Sequence, residues 1–237
     1  MKLVRILLAV CIVAAMLVTS VACGGGEKKV ALKCGGIQSA DDLSTQAMEK
    51  MGELVKEKTG GTVEIQVFPA GQLGNATSQV EAVSIGSQDM FVDAASFMAT
   101  FVPDKLAESM FFMFESEEHY RKYLDSDLNR ELEKQFEDKQ GVKVIANNWL
   151  RVPRSISSKK PINSVDDMVG LKMRVPDIKA YLESAQALGA KPTQIAWGET
   201  YLALQQGVVD ACESPIDSMY TMKFYEPTKN IIVTEHI

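Results

Sequence analysis

Histidine and tryptophan are scarce in this chain of 237 residues: His119, His236, Trp149 and Trp197 are the only ones, beside four cysteines. Neither histidine has a metal-ligating partner at helical spacing, and no cysteine pair has the spacing of a metal site. There is no Gly-x-Ser-x-Gly elbow, no phosphate-binding Walker loop and no glycine fingerprint opening a helix. Carboxylates are plentiful, but nothing singles out a pair for acid–base work. Enzyme classes therefore lack parts. Positive charge is also short: 25 Lys and Arg against 31 Asp and Glu give a net −6 with neutral histidines. A chain without a basic stripe lacks the footprint that a phosphate backbone requires, which excludes nucleic acid as a partner.

What is present begins with a leader. Lys2 and Arg5 precede an apolar run from Ile6 to Val18, and small residues follow up to Ala22. The run is shorter than the roughly 18 to 20 residues of a spanning helix, so residues 1–22 read as a cleaved export signal. Cys23, followed by Gly24-Gly25-Gly26, resembles a bacterial lipoprotein processing site, with Ser20 where leucine is usual. That resemblance implies lipid on Cys23, a tether over residues 23–29 and attachment to a membrane. Loss of Lys2 and Arg5 with the leader leaves 23 cations against 31 anions, net −8, so any anion site has to be local. Of the cysteines, Cys34 and Cys212 remain in the body. An oxidising compartment permits a disulfide between them, but both read as buried strand residues.

Hydrophobic periodicity gives an α/β body. Val30–Cys34 reads as a strand. Asp41–Lys58 reads as a helix with an apolar stripe of Leu43, Ala47, Met51, Leu54 and Val55, ended by Gly60-Gly61. Thr62–Phe68 alternates as a half-buried strand, and Asn75 caps a helix over Thr77–Ile85. This alternation predicts a largely parallel sheet with helices on its faces. A short strand at Asp89–Val92 precedes a Met/Phe-rich stretch, Phe97–Phe114, that reads as core. Two charged helices follow, Glu117–Leu124 and Asp127–Lys139, then strands over Val142–Trp149 and Arg154–Ser158. The alternation restarts with a Ser164-capped turn, a strand at Lys172, a helix over Asp177–Leu188, a strand near Pro192, a helix over Glu199–Gln206 and a strand at Val208–Cys212. A second α/β unit thus begins near Trp149.

The segment Gly170-Leu171-Lys172-Met173-Arg174-Val175-Pro176 carries the most chemistry. Leu171, Met173 and Val175 alternate with Lys172 and Arg174, which puts cations on one face of a strand. An arginine there has the planar fork that matches a carboxylate two-on-two. Trp149, Arg154, Trp197 and the run Val208 to Pro215 complete a recognition constellation.

At these residues the chain resembles the extracytoplasmic solute receptors of the tripartite ATP-independent periplasmic (TRAP) transporters. The resemblance runs through Thr59-Gly60-Gly61, Phe68-Pro69-Ala70-Gly71-Gln72-Leu73-Gly74, Gly86-Ser87-Gln88-Asp89-Met90 and Lys160-Pro161-Ile162. It continues through Asp166-Asp167-Met168-Val169-Gly170 into the Arg174 segment, and then Glu199-Thr200-Tyr201-Leu202-Ala203-Leu204-Gln205-Gln206-Gly207-Val208-Val209-Asp210. It covers most of Val30 to Thr234.

It implies a two-lobed periplasmic-binding-protein-like clamshell of mixed sheets flanked by helices. Lobe I would span 30–148, lobe II 149–229, and 230–237 a strand returning toward lobe I. It implies binding rather than catalysis, no cofactor, a small organic acid as ligand, and delivery to the integral-membrane subunits of a TRAP transporter. Arg174 matches the family's carboxylate-binding arginine and Arg154 the second arginine that assists it. Trp197 falls where similar receptors place an aromatic on the ligand; by its residue type alone it is also a core aromatic. Ser214 stands where an asparagine is usual, and Pro153 where a glycine is common. Asn75 is a candidate on the opposite lobe, and Trp149 and Glu213 belong to the constellation, Glu213 within the Val208–Pro215 run. Some members hold a metal beside the substrate, which Glu213 could serve, but no ligand cluster demands one. Relatives continue well past a strand like Asn230–Thr234, so the C-terminal part of the clamshell is expected to be missing here.

Overall fold

The computed structural model describes residues 29–237. The leader, Cys23 and the tether up to residue 28 lie outside the described residues. Two sheets form. In the first, β1 (Val30–Gly35) lies between β2 (Val63–Phe68) and β3 (Met90–Phe91), all parallel, with Val30 opposite Val63 and Cys34 opposite Met90. The strand–helix–strand alternation requires this arrangement, because parallel neighbours need a crossover. Here the crossovers are α1 (Leu43–Lys58) and α2 (Ala76–Ser84).

Asp42 caps α1 by accepting from the Ser44 amide at 2.9 Å, and Asn75 caps α2 from Ser78 at the same distance. Helix α1 turns Thr45, Met48 and Gly52 to the sheet. The stripe expected in the core is offset from that face: Leu43 and Leu54 are exposed, and Ala47, Met51 and Val55 are only half-buried. Gly52 decides the rotation, because an added Cβ there would already lie 3.3 Å from the Ile65 carbonyl, so this is the face that approaches β2.

Beyond β3 the Met/Phe stretch folds as two 3-10 turns, Ala95–Thr100 and Pro103–Ser109, followed by α3 (Glu117–Leu124) and α4 (Asp127–Gln140). Phe97, Met98 and Val102 are buried, as expected of core, but Met110, Phe112 and Met113 are exposed, so only the first half of the stretch is core. Val142–Trp149, in contrast, forms no strand. Val142 and Val144 pack beside Leu132 and Phe136, but Ile145 is 75% exposed and no ladder partner takes up the segment among the described residues. Alternation alone cannot make a strand without a neighbour for its amides.

The second sheet has the order β6–β5–β7–β4–β8. Its strands are β4 (Arg154–Ser158), β5 (Lys172–Val175), β6 (Lys191–Gln194), β7 (Ala211–Pro215) and β8 (Asn230–Ile232). β5 is parallel to β6 and β7, while β4 is antiparallel to β7 and β8, so the sheet is mixed. Helices α5 (Lys179–Ala187), α6 (Thr200–Gln206) and α7 (Ile216–Thr221) flank it. β7 starts three residues later than Val208, because Gly207 ends α6 in a left-handed turn (φ 75°) and Asp210 spends its amide on the Lys172 carbonyl at 2.7 Å. The strand expected to return toward lobe I is the edge strand β8, and the residues after it reach across: the Phe112 amide donates to the His236 carbonyl at 2.7 Å. Cys34 and Cys212 are both buried and free.

One buried cluster joins the two units, with Ala76 and Phe97 from the first packed with Ile156, Met173, Val175, Tyr181 and Ala211 from the second.

Candidate functional site

The carboxyl ends of β5 and β7, closed by Pro176 and Pro215, and the start of β4 lie at one end of the second sheet. Register places Arg154 opposite Pro215 and Arg174 beside Cys212. Residues in register point to the same face, and neighbours along a strand to opposite faces. Arg174, Cys212, Ser214 and Ser155 therefore share one face, while Arg154, Ile156, Glu213 and Met173 share the other. The two arginines leave the same end of the sheet on opposite sides.

Arg154 is committed. Its Nε donates to the Glu213 carboxylate, its Nη2 approaches the Glu213 carbonyl at 3.3 Å, and its guanidinium lies 5.1 Å from the centre of the Tyr181 ring. Burial alone would raise the Glu213 carboxyl, but the charge and hydrogen bond of Arg154, with His236 Nε2 3.7 Å away, outweigh it and hold it at about 2. Burial opposes the Arg154 charge too, and Glu213 overrides it, so that guanidinium is pushed above its ordinary range. The Oε2 of Glu213 is thus spent on an ion pair, while its Oε1 has no partner.

Arg174 is not committed. It is 3% exposed, its Nε donates to the Ile195 carbonyl at 2.9 Å, and its guanidinium sits 5.3 Å from the Trp197 ring. Among the described residues it forms no ion pair. Desolvation pulls it down to about 10, more than Glu213 and Cys212 raise it, and Arg154 adds to the fall. It remains a cation at neutral pH, and a buried cation without a partner is costly.

Trp197 is a core aromatic: it is buried, packs edge-on against Phe224 at 5.1 Å and has its ring 5.3 Å from the Arg174 guanidinium, with its Nε1 donor unpartnered. Ser214 is buried on the face of Arg174, opposite Ser155, whose hydroxyl has no partner. Asn75 is exposed and its Oδ1 serves the α2 cap. Trp149 is 48% exposed and lines a shallow groove over α1 with Ala47, Met51, Leu54 and Val55. The structure therefore gathers Arg174, Trp197, Arg154, Glu213 and Ser214 at the sheet end and leaves Trp149 on the α1 surface. Among the described residues no group of three His, Cys, Asp or Glu is arranged to hold a metal.

Other groups of both units carry no signal of their own in the sequence. Ile37, two residues past β1, packs against the clusters of both Met173 and Trp197. Tyr181, beneath Arg154, was read only as part of a helix. Asp42, Arg151 and Ser218 form a buried junction: Ser218 Oγ donates to Asp42 Oδ2 at 2.7 Å, and Arg151 Nη2 reaches the same oxygen at 3.2 Å. Only proximity in three dimensions reveals such a contact, since Asp42 and Ser218 lie in different units.

Two packed α/β units, with a buried arginine lacking an ion pair at the carboxyl end of the second sheet, fit a periplasmic-type solute-binding protein. Residues 34–237 match the bacterial extracellular solute-binding protein family 7, also called DctP, and the chain belongs to that family of solute-binding receptors. It is 30% identical over 206 residues to the sialic acid-binding periplasmic protein SiaP of Vibrio cholerae, covering 87% of this chain and 64% of that protein. The chain thus spans a little under two thirds of that relative's length. Among solved structures it resembles a TRAP periplasmic solute-binding protein from Fusobacterium nucleatum with bound sn-glycerol-3-phosphate, at 34% identity and TM-score 0.82, covering 87% of this chain and 67% of that one. Another, from Ochrobactrum anthropi with bound L-fuconate, is 27% identical at TM-score 0.83, covering 88% and 69%. No helix among the described residues is long and apolar enough to cross a membrane.

Proposed function

We propose that this chain is the ligand-capturing part of an extracytoplasmic receptor that takes up a small organic acid and hands it to the integral-membrane subunits of a TRAP transporter. Arg174 holds the acid's carboxylate. The observation that carries this reading is the state of that side chain: buried, cationic, stacked on Trp197 and without an ion pair. An acid entering between the units supplies the missing anion through charge-assisted hydrogen bonds, each contributing roughly 1.5–3 kcal/mol. The ligands named for two of these relatives, sialic acid and L-fuconate, support a carboxylate as the ligand class, while the third holds sn-glycerol-3-phosphate, an anion without one. Arg154 acts at one remove, as a partner that keeps Glu213 ionised and fixed. Binding without turnover is the proposed mode, in keeping with a family of solute-binding receptors. Cys23 carries the lipid that keeps the receptor at the membrane.

A thermal melt of the protein with a panel of mono- and dicarboxylates, 2-oxo acids, aromatic acids and sugar acids tests the reading. A true ligand at about 100 times its dissociation constant adds roughly 2.7 kcal/mol, a shift of several degrees for a body of this size. A cooperative melt that no acid raises contradicts it.

A further inference from the structure

We propose that Asp42, Arg151 and Ser218 form a clamp between the two units, which holds them in the packed arrangement before any ligand arrives. The clamp stands on its own contacts; its consequence for acid binding rests on the receptor reading above.

Asp42 belongs to the first unit, where it caps α1, and is 1% exposed. Ser218 lies 176 residues further on, in α7 of the second unit, and is fully buried. Arg151 stands just before β4, on the segment that leads from α4 into the second sheet. Both oxygens of Asp42 are used. Its Oδ1 accepts from the Ser44 amide at 2.9 Å and from the Ser44 hydroxyl, which fixes the start of α1. Its Oδ2 accepts from Ser218 Oγ at 2.7 Å and from Arg151 Nη2 at 3.2 Å. Arg151 Nη2 also donates to Ser218 Oγ, which closes a triangle of three side chains. Among the described residues this holds the only ion pair between residues 29–148 and residues 149–237.

Burial alone would raise the Asp42 carboxyl, but hydrogen bonds from Ser44 and Ser218 and the charge of Arg151 outweigh it and hold it below its ordinary value. The carboxylate is therefore ionised at neutral pH. Moving Ser218 away with its unit leaves Asp42 and Arg151 each short of a partner, and a hydrogen bond to a charged group is costlier to lose than one between neutral groups. Arg174 acts in the opposite sense. It is 3% exposed in the packed arrangement and has no ion pair among the described residues, a cost that the clamp offsets. Such a clamp sets the fraction of the chain that is packed before binding, and apparent affinity scales with that fraction for every ligand alike.

The test is small-angle X-ray scattering of the full chain and of its Ser218→Ala and Asp42→Asn variants without ligand, followed by calorimetric titration of each with the acids that raise the melting temperature. Asp42→Asn keeps the α1 cap, since asparagine caps as well as aspartate, and removes the charge that holds Arg151. The expected result is a larger radius of gyration for both variants, with a loss of affinity of at least about threefold that is the same for every acid and leaves their ranking unchanged. Scattering identical to that of the unaltered chain overturns the clamp, as does a loss confined to some acids or absent from all. Should Ser218→Ala fail to fold, Asp42→Asn decides. Unfolding of both variants makes the junction part of the core rather than a clamp and overturns the inference too. If no acid binds the unaltered chain, the receptor reading falls and the scattering alone decides the clamp.

Discussion

At the residue scale, the two arginines at the sheet end differ in their partners. Arg154 pairs with Glu213, and Arg174, buried, has no ion pair among the described residues. Glu213 makes the difference, and its behaviour has a pH signature. Its carboxyl is held at about 2 against an ordinary 4.5, so its contribution to stability is fully present above pH 4.5 and is lost as pH falls through about 2. The size is on the order of 3 kcal/mol. Urea unfolding followed between pH 5 and 2.5 is expected to show that loss, and Glu213→Gln to flatten it; an unchanged slope contradicts the pairing. Arg174 was legible in the sequence because a cation alternating with apolar residues before a proline is a local pattern. Its lack of an internal partner was not, since that depends on Trp197, Ile195 and the first unit.

At the element scale, strands and helices with dense local signals are where the residues place them: β4 matches Arg154–Ser158, and α3 runs over Glu117–Leu124. Where position depends on a neighbour, the pattern misleads, as in Val142–Trp149, which alternates but pairs with nothing, and in α1, whose apolar stripe is turned from the sheet by Gly52. Helix α7 was missed because its six residues carry no helical period. Two predictions belong here. Gly35→Ala places a Cβ 1.9 Å from Gln79 Oε1 and 2.6 Å from Gln88 Nε2, breaking the 3.0 Å bond between those side chains. Chemical denaturation should register a loss of about 1–3 kcal/mol. Asp42→Ala removes the α1 cap, worth about 1 kcal/mol, together with the contacts to Ser218 and Arg151, whereas Ser218→Ala removes its contact to Asp42 and its hydrogen bond from Arg151. A double-mutant cycle on unfolding free energy is expected to give a coupling of about 1 kcal/mol or more; strict additivity contradicts a shared junction.

At the scale of the whole molecule, the acidic balance and the buried cation work together. A net negative surface gives no general attraction for an acid, so the proposed capture would depend on the local charge of Arg174. The two-unit architecture could be read from the restart of alternation near Trp149, but the packing of the two units against each other could not. Trp149, on the α1 surface, provides a contrast: Trp149→Ala is expected to leave acid affinity within about twofold, and a tenfold loss by titration would move it into the site.

The most direct measurement is a calorimetric titration of the unaltered chain and Arg174→Ala with the acid that most raises the melting temperature. The account predicts saturable one-to-one binding by the unaltered protein and a loss of at least about 100-fold in the variant, with its melting temperature in the absence of acid unchanged or raised, because an unpaired buried charge is gone. Binding by the variant within about fivefold of the unaltered protein would contradict it.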